Sequence, residues 1–352
     1  MAYTEIDDPT LYFSSTIWTG NATDDRAIVI DGTGMQPDFV WIKSRNDTDN
    51  HRLVDSVRGA TKHLSSDLNA AEETSSNVKT FTSTGVTLST NGSVNANSEL
   101  YASWAWKAGT SFTNDASSTG IGSIDSAGSF NNDSGFSIVS YTGTGSSGTI
   151  KHGLNSVPSV IIIKVLTNTA NDWCVYHQAT GNNQSTFLNE SNAVSSNAFM
   201  NNTTPTSSVF SVDGSNYSSG SSRNYIAYCF AEKQGYSKFG SYTGNGGGAA
   251  NGNFIYTGFS PAFVMIKNTT HTYNWVIQDN KRNTFNPLDR YIYPNTSGAE
   301  AQNSIYDLDL LSNGFKVRSQ RSETNDTNNG YIFMAFASNP LVTSTGVPAT
   351  AR

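Results

Sequence analysis

Apolar residues in this chain cluster in runs of four to eight, separated by Gly, Asn, Ser and Thr. Val, Ile, Phe and Tyr dominate these runs, and β-branched and aromatic residues between turn-forming residues are typical of strands. The run 160–163 is apolar at every position, which predicts a strand that is covered on both faces. Helical periodicity is scarce, so the pattern predicts an all-β protein.

Three segments of the chain repeat the same order of landmarks. Each begins with an aromatic-Thr-Gly turn, continues with an apolar strand that starts at proline and ends at lysine, and closes with an aromatic strand. The proline-to-lysine strands span 37–43, 158–164 and 261–267, and the closing strands span 101–106, 225–230 and 331–336. A further strand is predicted before each closing strand, at 84–88, 209–212 and 314–317. Ordered landmarks at near-constant spacing indicate a triplicated unit.

The repeats predict three units: unit 1 (residues 12–110), unit 2 (135–234) and unit 3 (237–340). Several short strands in about 100 residues predict that each unit is an antiparallel β-sandwich, of jelly-roll or immunoglobulin-like topology. Residues 111–134 are rich in Gly, Ser and Asn, which is typical of a flexible linker. Residues 1–11 and 341–352 are predicted to be an N-terminal extension and a C-terminal tail.

Charged residues make up only 14% of the 352 residues, against roughly 25% in an average soluble domain. Aromatic residues make up 11%, which argues against simple disorder. A net charge of −7 without any Lys/Arg block disfavours nucleic-acid binding. No apolar stretch approaches the ~20 residues that cross a bilayer, so no membrane insertion is expected, and the N-terminal sequence does not resemble a secretory signal peptide.

The sequence contains no strong catalytic or metal-binding motif. Its five histidines are scattered, and the His-Glu-x-x-His, Cys-x-x-Cys and Gly-x-Ser-x-Gly patterns are missing. The loop 46–49 resembles a set of calcium ligands only loosely, and Asn/Asp turn chemistry explains it more simply. Carboxylate pairs of the kind that glycosidases use do not recur among the units; they are Asp24/Asp25, Glu72/Glu73 and Asp307/Asp309. We therefore expect no enzyme activity, no cofactor and no metal.

The densest polar cluster follows the proline-to-lysine strand of unit 1. Arg52, Asp55 and Arg58 in this cluster are the weak candidates for contacts with a partner or receptor. The simpler interpretation is a strand of alternating exposure, in which Leu53 and Val57 face inward and Arg52 pairs with Asp55.

Two other sets of residues have a predicted structural role. Lys43, Lys164 and Lys267 end the apolar strands, and we expect them to reach the surface or to meet a carboxylate. Cys174 and Cys229 both lie in unit 2, as either a disulfide or two buried thiols. Most tryptophans and tyrosines lie in apolar strands, which predicts core packing rather than ligand stacking.

Several motifs, spread over nearly the whole chain, resemble a repeat domain of virion structural proteins from marine tailed bacteriophages. They read PDFVWIK (37–43), HRLVDSVRG (51–59), FSIVSYTGTG (136–145), YSKFGSYTGNG (236–246) and YIFMAFA (331–337). Members of that family are described as structural or tail-fibre-like, and they supply no catalytic residues to carry over. The resemblance implies a component of a phage particle.

We therefore expect a structural protein on the exterior of the virion, foremost a tail-fibre or receptor-binding component that mediates host attachment. Its expected partners are other virion proteins and a host-surface glycan or receptor. A capsid decoration, cement or head-fibre protein is the alternative, and a polysaccharide depolymerase is a remote one. Because units of about 100 residues have small cores, a homo-oligomer is expected, foremost a homotrimer.

Overall fold

The computed structural model describes residues 3–30, 34–167, 170–303 and 308–348. Nearly all regular structure in these segments is antiparallel β-strand, which confirms the all-β prediction. Helical structure in the described part of the chain comprises a 3₁₀ turn (Pro9–Leu11) and two single-turn helices, α1 (Gly92–Asn95) and α2 (Ala116–Thr119). No helix among these residues is long and apolar enough to cross a membrane.

The strands follow the landmarks of the three predicted units. Unit 1 contains β1 (Phe13–Thr19), β2 (Arg26–Val29), β3 (Phe39–Ser44), β4 (Arg52–Asp55), β5 (Lys62–His63), β6 (Glu73–Thr74), β7 (Val78–Thr82), β8 (Gly85–Leu88) and β9 (Leu100–Trp106). Between units 1 and 2 lie β10 (Thr110–Asn114) and β11 (Ser126–Asn131). Unit 2 contains β12 (Phe136–Thr142), β13 (Gly148–Lys151), β14 (Val160–Val165), β15 (Cys174–His177), β16 (Gln184–Phe187), β17 (Ser195–Ser196), β18 (Val209–Val212) and β19 (Asn224–Phe230). Unit 3 contains β20 (Ser237–Thr243), β21 (Phe254–Tyr256), β22 (Phe259–Asn268), β23 (Val276–Asp279), β24 (Arg290–Tyr291), β25 (Ala301–Gln302), β26 (Leu308–Leu311), β27 (Gly314–Val317) and β28 (Gly330–Pro340).

Each unit has a main sheet with the same strand order. The orders are β1-β9-β3-β4, β12-β19-β14-β15 and β20-β28-β22-β23, so the closing aromatic strand is always central. A smaller sheet in each unit contains the strand predicted before the closing strand: β2-β8-β7, β13-β18 and β21-β27-β26. The short pairs β5-β6, β16-β17 and β24-β25 complete the units.

Side chains of each main sheet alternate between two cores, because successive residues of a strand point to opposite faces. On β3, Val40 and Ile42 pack with the smaller sheet of unit 1, so the two sheets form a β-sandwich. Phe39 and Trp41 point the other way, into a core that all three main sheets share. The run predicted to be covered on both faces, 160–163, alternates in the same manner between the two cores of unit 2. The units are therefore sandwiches that also pack on one another.

The shared core is centred on three equivalent aromatic residues. Trp106, Phe230 and Phe336 occupy the same position on the closing strands, and each ring contacts the other two. Their centroids are 6.1 Å (Trp106–Phe230), 5.5 Å (Trp106–Phe336) and 5.8 Å (Phe230–Phe336) apart, in edge-to-face orientations. Aromatic pairs of this geometry add about 0.5–1.5 kcal/mol each beyond burial of their area. The small core of one unit, which is the reason for expecting a homotrimer, is thus enlarged within one chain; the homotrimer itself stays a prediction.

The segment 111–134 differs from the predicted flexible linker. Strand β10 pairs with β11, and β11 pairs with β12, so the segment extends the main sheet of unit 2. Its two phenylalanines, Phe112 and Phe130, pack edge-to-face at 6.0 Å. They lie against the core of unit 2 that faces away from the shared core, which we call the outer core of unit 2. Ser and Thr are compatible with an edge strand, and the strand pairing and the two phenylalanines attach the segment to unit 2.

The two cysteines are buried free thiols, not a disulfide. Both side chains lie in the outer core of unit 2, where Cys174 is on β15 and Cys229 is on β19. Burial raises the pKa of the Cys229 thiol to about 12 and that of Cys174 well above its usual value. The raised pKa values keep both thiols protonated and unreactive at neutral pH.

We expect the native protein to be inert toward a thiol reagent such as Ellman's reagent at pH 8, and to react at two thiols once it is unfolded in guanidinium. A Cys229→Ser variant should release one thiol on unfolding. Rapid reaction of the folded protein at pH 8 would show that this core is more open than the structure indicates.

Candidate functional site

The three units form a closed ring, in which each contacts the next through equivalent groups. At each junction, the residue just before the second strand of a short pair (β6, β17 or β25) donates its backbone N–H to the next unit. The acceptor is the carbonyl of the residue two positions after the strand-ending lysine of that unit. The three bonds are Glu72 to Leu166 at 3.0 Å, Val194 to Thr269 at 3.1 Å and Glu300 to Arg45 at 2.7 Å. These define junctions 1–2, 2–3 and 3–1. Most of the polar cluster that sequence analysis singled out lies at the first of them.

Asp55 and Arg58 form a buried ion pair at junction 1–2. The Arg58 Nε lies 2.5 Å from Asp55 Oδ2, and its Nη1 lies 3.2 Å from Glu72 Oε2. The Tyr228 hydroxyl of unit 2 donates to the same Asp55 oxygen at 2.8 Å. The side chains of Asp55 and Arg58 are 0% and 3% exposed. In this structure their partners are groups of the same chain.

The simpler sequence interpretation predicted that Arg52 pairs with Asp55, and this prediction is wrong. The Arg52 guanidinium donates to the hydroxyls of Ser65 and Ser93, each at 3.1 Å, and the side chain is only partly buried. Arg52 and Asp55 lie at opposite ends of β4, and Asp55 accepts instead from Arg58 across a tight turn. The predicted inward orientation of Leu53 is confirmed.

Junction 3–1 contains a second ion-pair network that sequence analysis did not identify. Arg282 Nε lies 2.5 Å from Asp279 Oδ2, and the Trp104 indole of unit 1 donates to the same oxygen at 3.1 Å. Glu300 accepts from Arg282 at 3.3 Å and from Arg45 of unit 1 at 2.9 Å. The signal was present in the sequence, because Asp-x-x-Arg follows Lys43 and Lys267 at the same spacing.

The carboxylates of this second network remain ionised despite their burial. Burial alone would raise the pKa of Asp279, but the charge and hydrogen bonds of Arg282, together with the Trp104 N–H, hold it below its usual value. Burial opposes ionisation of Glu300 in the same way, and Arg45 and Arg282 lower its pKa overall. Compensation of this kind is what makes a buried ion pair tolerable.

Junction 2–3 has a neutral counterpart. His177 occupies the position of Asp55 and Asp279 at the end of its strand, and its Nε2 lies 3.2 Å from the Phe333 carbonyl oxygen of unit 3. Thr180 stands where the arginines stand in the other units, and its hydroxyl donates to the His177 carbonyl at 2.9 Å. An equivalent junction therefore forms with or without a buried Asp–Arg ion pair.

Three buried histidines share one hydrogen-bond pattern. His51, His152 and His177 each accept an N–H at Nδ1 and lie 3.1–3.2 Å from a carbonyl oxygen at Nε2. This pattern is satisfied only by the neutral Nε2–H tautomer. Burial lowers the pKa of His51 to about 3 and that of His152 and His177 to about 4. His51 takes the place of Trp173 and Trp275, and all three bond to a carbonyl of the preceding unit in the ring.

The strand-ending lysines neither reach the surface nor meet a carboxylate, which corrects the prediction. Lys43, Lys164 and Lys267 are 0% exposed, and their ammonium groups donate to backbone carbonyl oxygens. Lys164 also bonds the carbonyl of Asn69 in unit 1 at 3.1 Å, and Lys267 bonds that of Ser191 in unit 2 at 3.0 Å. Burial lowers the pKa of each lysine to about 8. Sequence analysis missed this role because every residue has a backbone carbonyl, so the acceptors cannot be recognised from the residue types.

The carboxylate pairs are spread over unrelated surroundings. Asp24 and Asp25 both pair with Lys79 at the surface, at 3.0 Å and 2.6 Å. Glu72 belongs to junction 1–2, and Asp309 pairs with Arg318, whereas Asp307 lies outside the described residues.

One acidic cluster lies at the loop that loosely resembles a calcium-ligand set. Carboxylate oxygens of Asp47, Asp49 and Glu99 all lie within 4.8 Å of one another. Asp47 also accepts the N–H of Thr48 at 2.6 Å, in agreement with the turn interpretation. Partly exposed acidic groups are common without a bound ion, and no metal site is assigned.

Two surface depressions have the size of ligand sites. A groove of about 810 Å³ runs beside β10 and β11 and is lined by Asp115, Asp125, Thr142 and Asn224, among others. The tyrosine rings of this groove, Tyr141 and Tyr225, are buried. The second depression, of about 440 Å³, lies where the N-terminal extension crosses units 2 and 3; we call it the N-terminal pocket. Its lining comprises Tyr3, Glu232, Gln234, Gly235, Ser237, Lys238, Tyr256, Thr257 and Gly258.

Comparison with known proteins places the chain in a family without supplying a function. No significant match was found among curated proteins or among solved structures. Residues 8–340 match the family model DUF7483, which is described as a domain of unknown function, and this match spans all three units. The chain is therefore a member of the DUF7483 family.

Proposed function

We propose that this chain is a non-enzymatic structural protein on the exterior of a tailed-phage particle, acting at the tail as a fibre or receptor-binding component. The observation that carries the proposal is the use of the most conspicuous charged residues. Asp55, Arg58, Asp279 and Arg282 are buried in ion pairs that join the units, and they are not arranged around an open cleft. Side chains used in this way stabilise a rigid body instead of performing proton transfer or nucleophilic attack.

The surface supports the same proposal. Only 14% of the residues in the chain are charged, and several of these are buried in ion pairs at the junctions. The exposed residues are therefore largely Ser, Thr, Asn and Gly. The resemblance to virion structural proteins of marine tailed phages points to such an exterior location. The partners we propose are other virion proteins and a host-surface glycan or receptor.

The test is to locate the protein in purified particles of the phage that encodes it. Mass spectrometry should detect it, and cryo-electron microscopy should place it at the tail in about 18 copies or fewer, as six trimers would give under closed symmetry. Hundreds of copies on the head would instead support a capsid decoration, cement or head-fibre protein. Absence from the particle would contradict both assignments, and release of reducing ends from host polysaccharide by the purified chain would contradict a non-enzymatic role.

A further inference from the structure

We propose that the N-terminal pocket is a saccharide-binding site. For its biological meaning, the attachment of a particle to a host glycan, the inference rests on the proposed function. For its location and chemistry it rests on the geometry of units 2 and 3 and of the N-terminal extension. Its volume of about 440 Å³ lies within the roughly 300–1,000 Å³ that is usual for small-ligand sites.

The pocket has an exposed aromatic wall, which is the feature that the larger groove lacks. Strand β21 alternates in exposure: Ile255 is buried, whereas Phe254 and Tyr256 are 47% and 54% exposed. Tyr256 lines the pocket, and Phe254 lies on the same face of the strand but outside the lining of the pocket. An exposed tyrosine offers an apolar ring face for the C–H groups of a pyranose and a hydroxyl for its polar edge.

Polar groups suited to sugar hydroxyls lie in the same pocket. Glu232 and Lys238 form an ion pair of 2.5 Å whose side chains remain 32% and 37% exposed, so an acceptor and a donor are held side by side. The exposed side chain of Gln234 adds an amide that has no hydrogen-bond partner among the described residues. A few convergent polar groups beside an apolar wall are the usual composition of a site that orients a neutral ligand.

The N-terminal extension holds this wall in place. The Tyr3 hydroxyl donates to the Gly258 carbonyl at 2.6 Å and lies 3.5 Å from the Tyr256 hydroxyl. The Thr4 hydroxyl donates to the Gln234 carbonyl at 2.9 Å, which ties the extension to the junction between units 2 and 3. A site whose rings are fixed before binding loses less conformational entropy when the ligand arrives.

The repeat shows that the aromatic wall is particular to unit 3. Strand register places Val29 of unit 1 and Lys151 of unit 2 at the position of Tyr256. Val29 is 58% exposed, so an exposed apolar residue occurs there without an aromatic ring. The tyrosine is therefore not required by the fold at this position.

The test is to screen the purified full-length chain on an array of microbial glycans and to titrate the saccharides that bind. We expect binding to at least one neutral oligosaccharide, and a loss of affinity of up to about tenfold in Tyr256→Ala, since a single good stacking contact is worth up to about that factor. Gln234→Ala, a change of an exposed side chain, should weaken binding as well. Phe285→Ala is the matched control, because Phe285 is 79% exposed but does not line the pocket.

Two results would overturn the proposal. One is that the folded chain binds no glycan of the array; the other is that Tyr256→Ala and Gln234→Ala, both folded by circular dichroism, bind as the unsubstituted chain does. The outcome is separable from that of the proposed function. A protein found at the phage tail that binds no glycan contradicts the site alone, and a glycan-binding protein absent from the particle contradicts the virion role alone.

Discussion

Replacing Arg282 with methionine is expected to lower the free energy of unfolding by about 3–5 kcal/mol, the usual cost of leaving one member of a buried ion pair unpaired. The Arg282 side chain is 0% exposed and forms ion pairs with both Asp279 and Glu300 at junction 3–1. Its loss would leave Asp279 with hydrogen bonds from the Trp104 indole and the backbone but without the charge that lowers its pKa. Urea-induced unfolding at pH 7.5, followed by tryptophan fluorescence, measures the change.

Two further variants make this result specific. Lys79→Met removes a cation that pairs with Asp24 and Asp25 at the surface, and it should leave the unfolding midpoint nearly unchanged. The double variant Asp279→Asn/Arg282→Met should recover part of the stability that Arg282→Met loses, because it no longer buries an unpaired Asp279 charge. An Arg282→Met variant as stable as the original chain would show that junction 3–1 is open to water.

Junction 2–3 explains why partial recovery is expected. His177 and Thr180 occupy the positions of the Asp–Arg pair there, and the junction still closes through a hydrogen bond to the Phe333 carbonyl. The Asp–Arg ion pair is therefore one of two arrangements that close a junction of this kind. Buried ion pairs often contribute little net stability when compared with a well-packed neutral alternative, although breaking one is costly.

The local sequence predicted strands well because the information lies in short patterns. Alternation and the Pro-to-Lys landmark placed β3, β14 and β22, and the aromatic closing strands placed the central strand of each main sheet. The ring was not predicted, because residues such as Trp106, Phe230 and Phe336 look like ordinary core residues of three separate sandwiches. Only the register of each strand shows that these three side chains face away from their own smaller sheet.

The candidate site was harder to predict for a related reason. Sequence analysis found Asp55 and Arg58 as a dense polar cluster, but it could not tell a surface patch from a buried junction. The lysines were misassigned because their partners are backbone carbonyls, which every residue carries. The N-terminal pocket combines Tyr3 with Tyr256, residues that are distant in sequence and become neighbours only in the folded chain.

Acid is expected to destabilise this protein between about pH 6.5 and pH 4, a window that lies mostly above the usual pKa values of carboxyl groups. His51, His152 and His177 have pKa values of about 3, 4 and 4 in the folded chain, because burial disfavours their charged forms. In the unfolded chain a histidine has a pKa of about 6.5, so the unfolded state binds more protons throughout this window. The stability that these neutral histidines contribute is fully present above pH 6.5 and is lost as the pH falls toward 4. Each contributes about 3 kcal/mol to that loss, at about 1.4 kcal/mol per pKa unit.

The carboxylates change the size of the acid effect but not its sign in this window. Burial raises the folded-state pKa of Asp38 and Asp67, which offsets part of the loss at the acid end, whereas the lowered pKa of Asp279 and Glu300 adds to the loss below about pH 4. The histidines therefore dominate the pH dependence of the unfolding free energy near pH 5.5. Two of them, His51 and His177, bond across junctions 3–1 and 2–3, so their protonation acts directly on the contacts that close the ring.

Urea unfolding measured at half-unit steps from pH 7.5 to pH 4.5 tests the expectation through the slope of the unfolding free energy against pH. His177→Gln removes one titrating group and should reduce that slope by about one proton's worth near pH 5.5, even if the variant is less stable at every pH. Phe285→Ala is the control, because Phe285 is 79% exposed and carries no titrating group, so its replacement should leave the slope unchanged. A flat profile in the unsubstituted chain, or an unchanged slope in His177→Gln, would mean that protons reach these imidazoles in the folded state. The junctions would then be held by the ion pairs and the aromatic centre, without a requirement for neutral histidine.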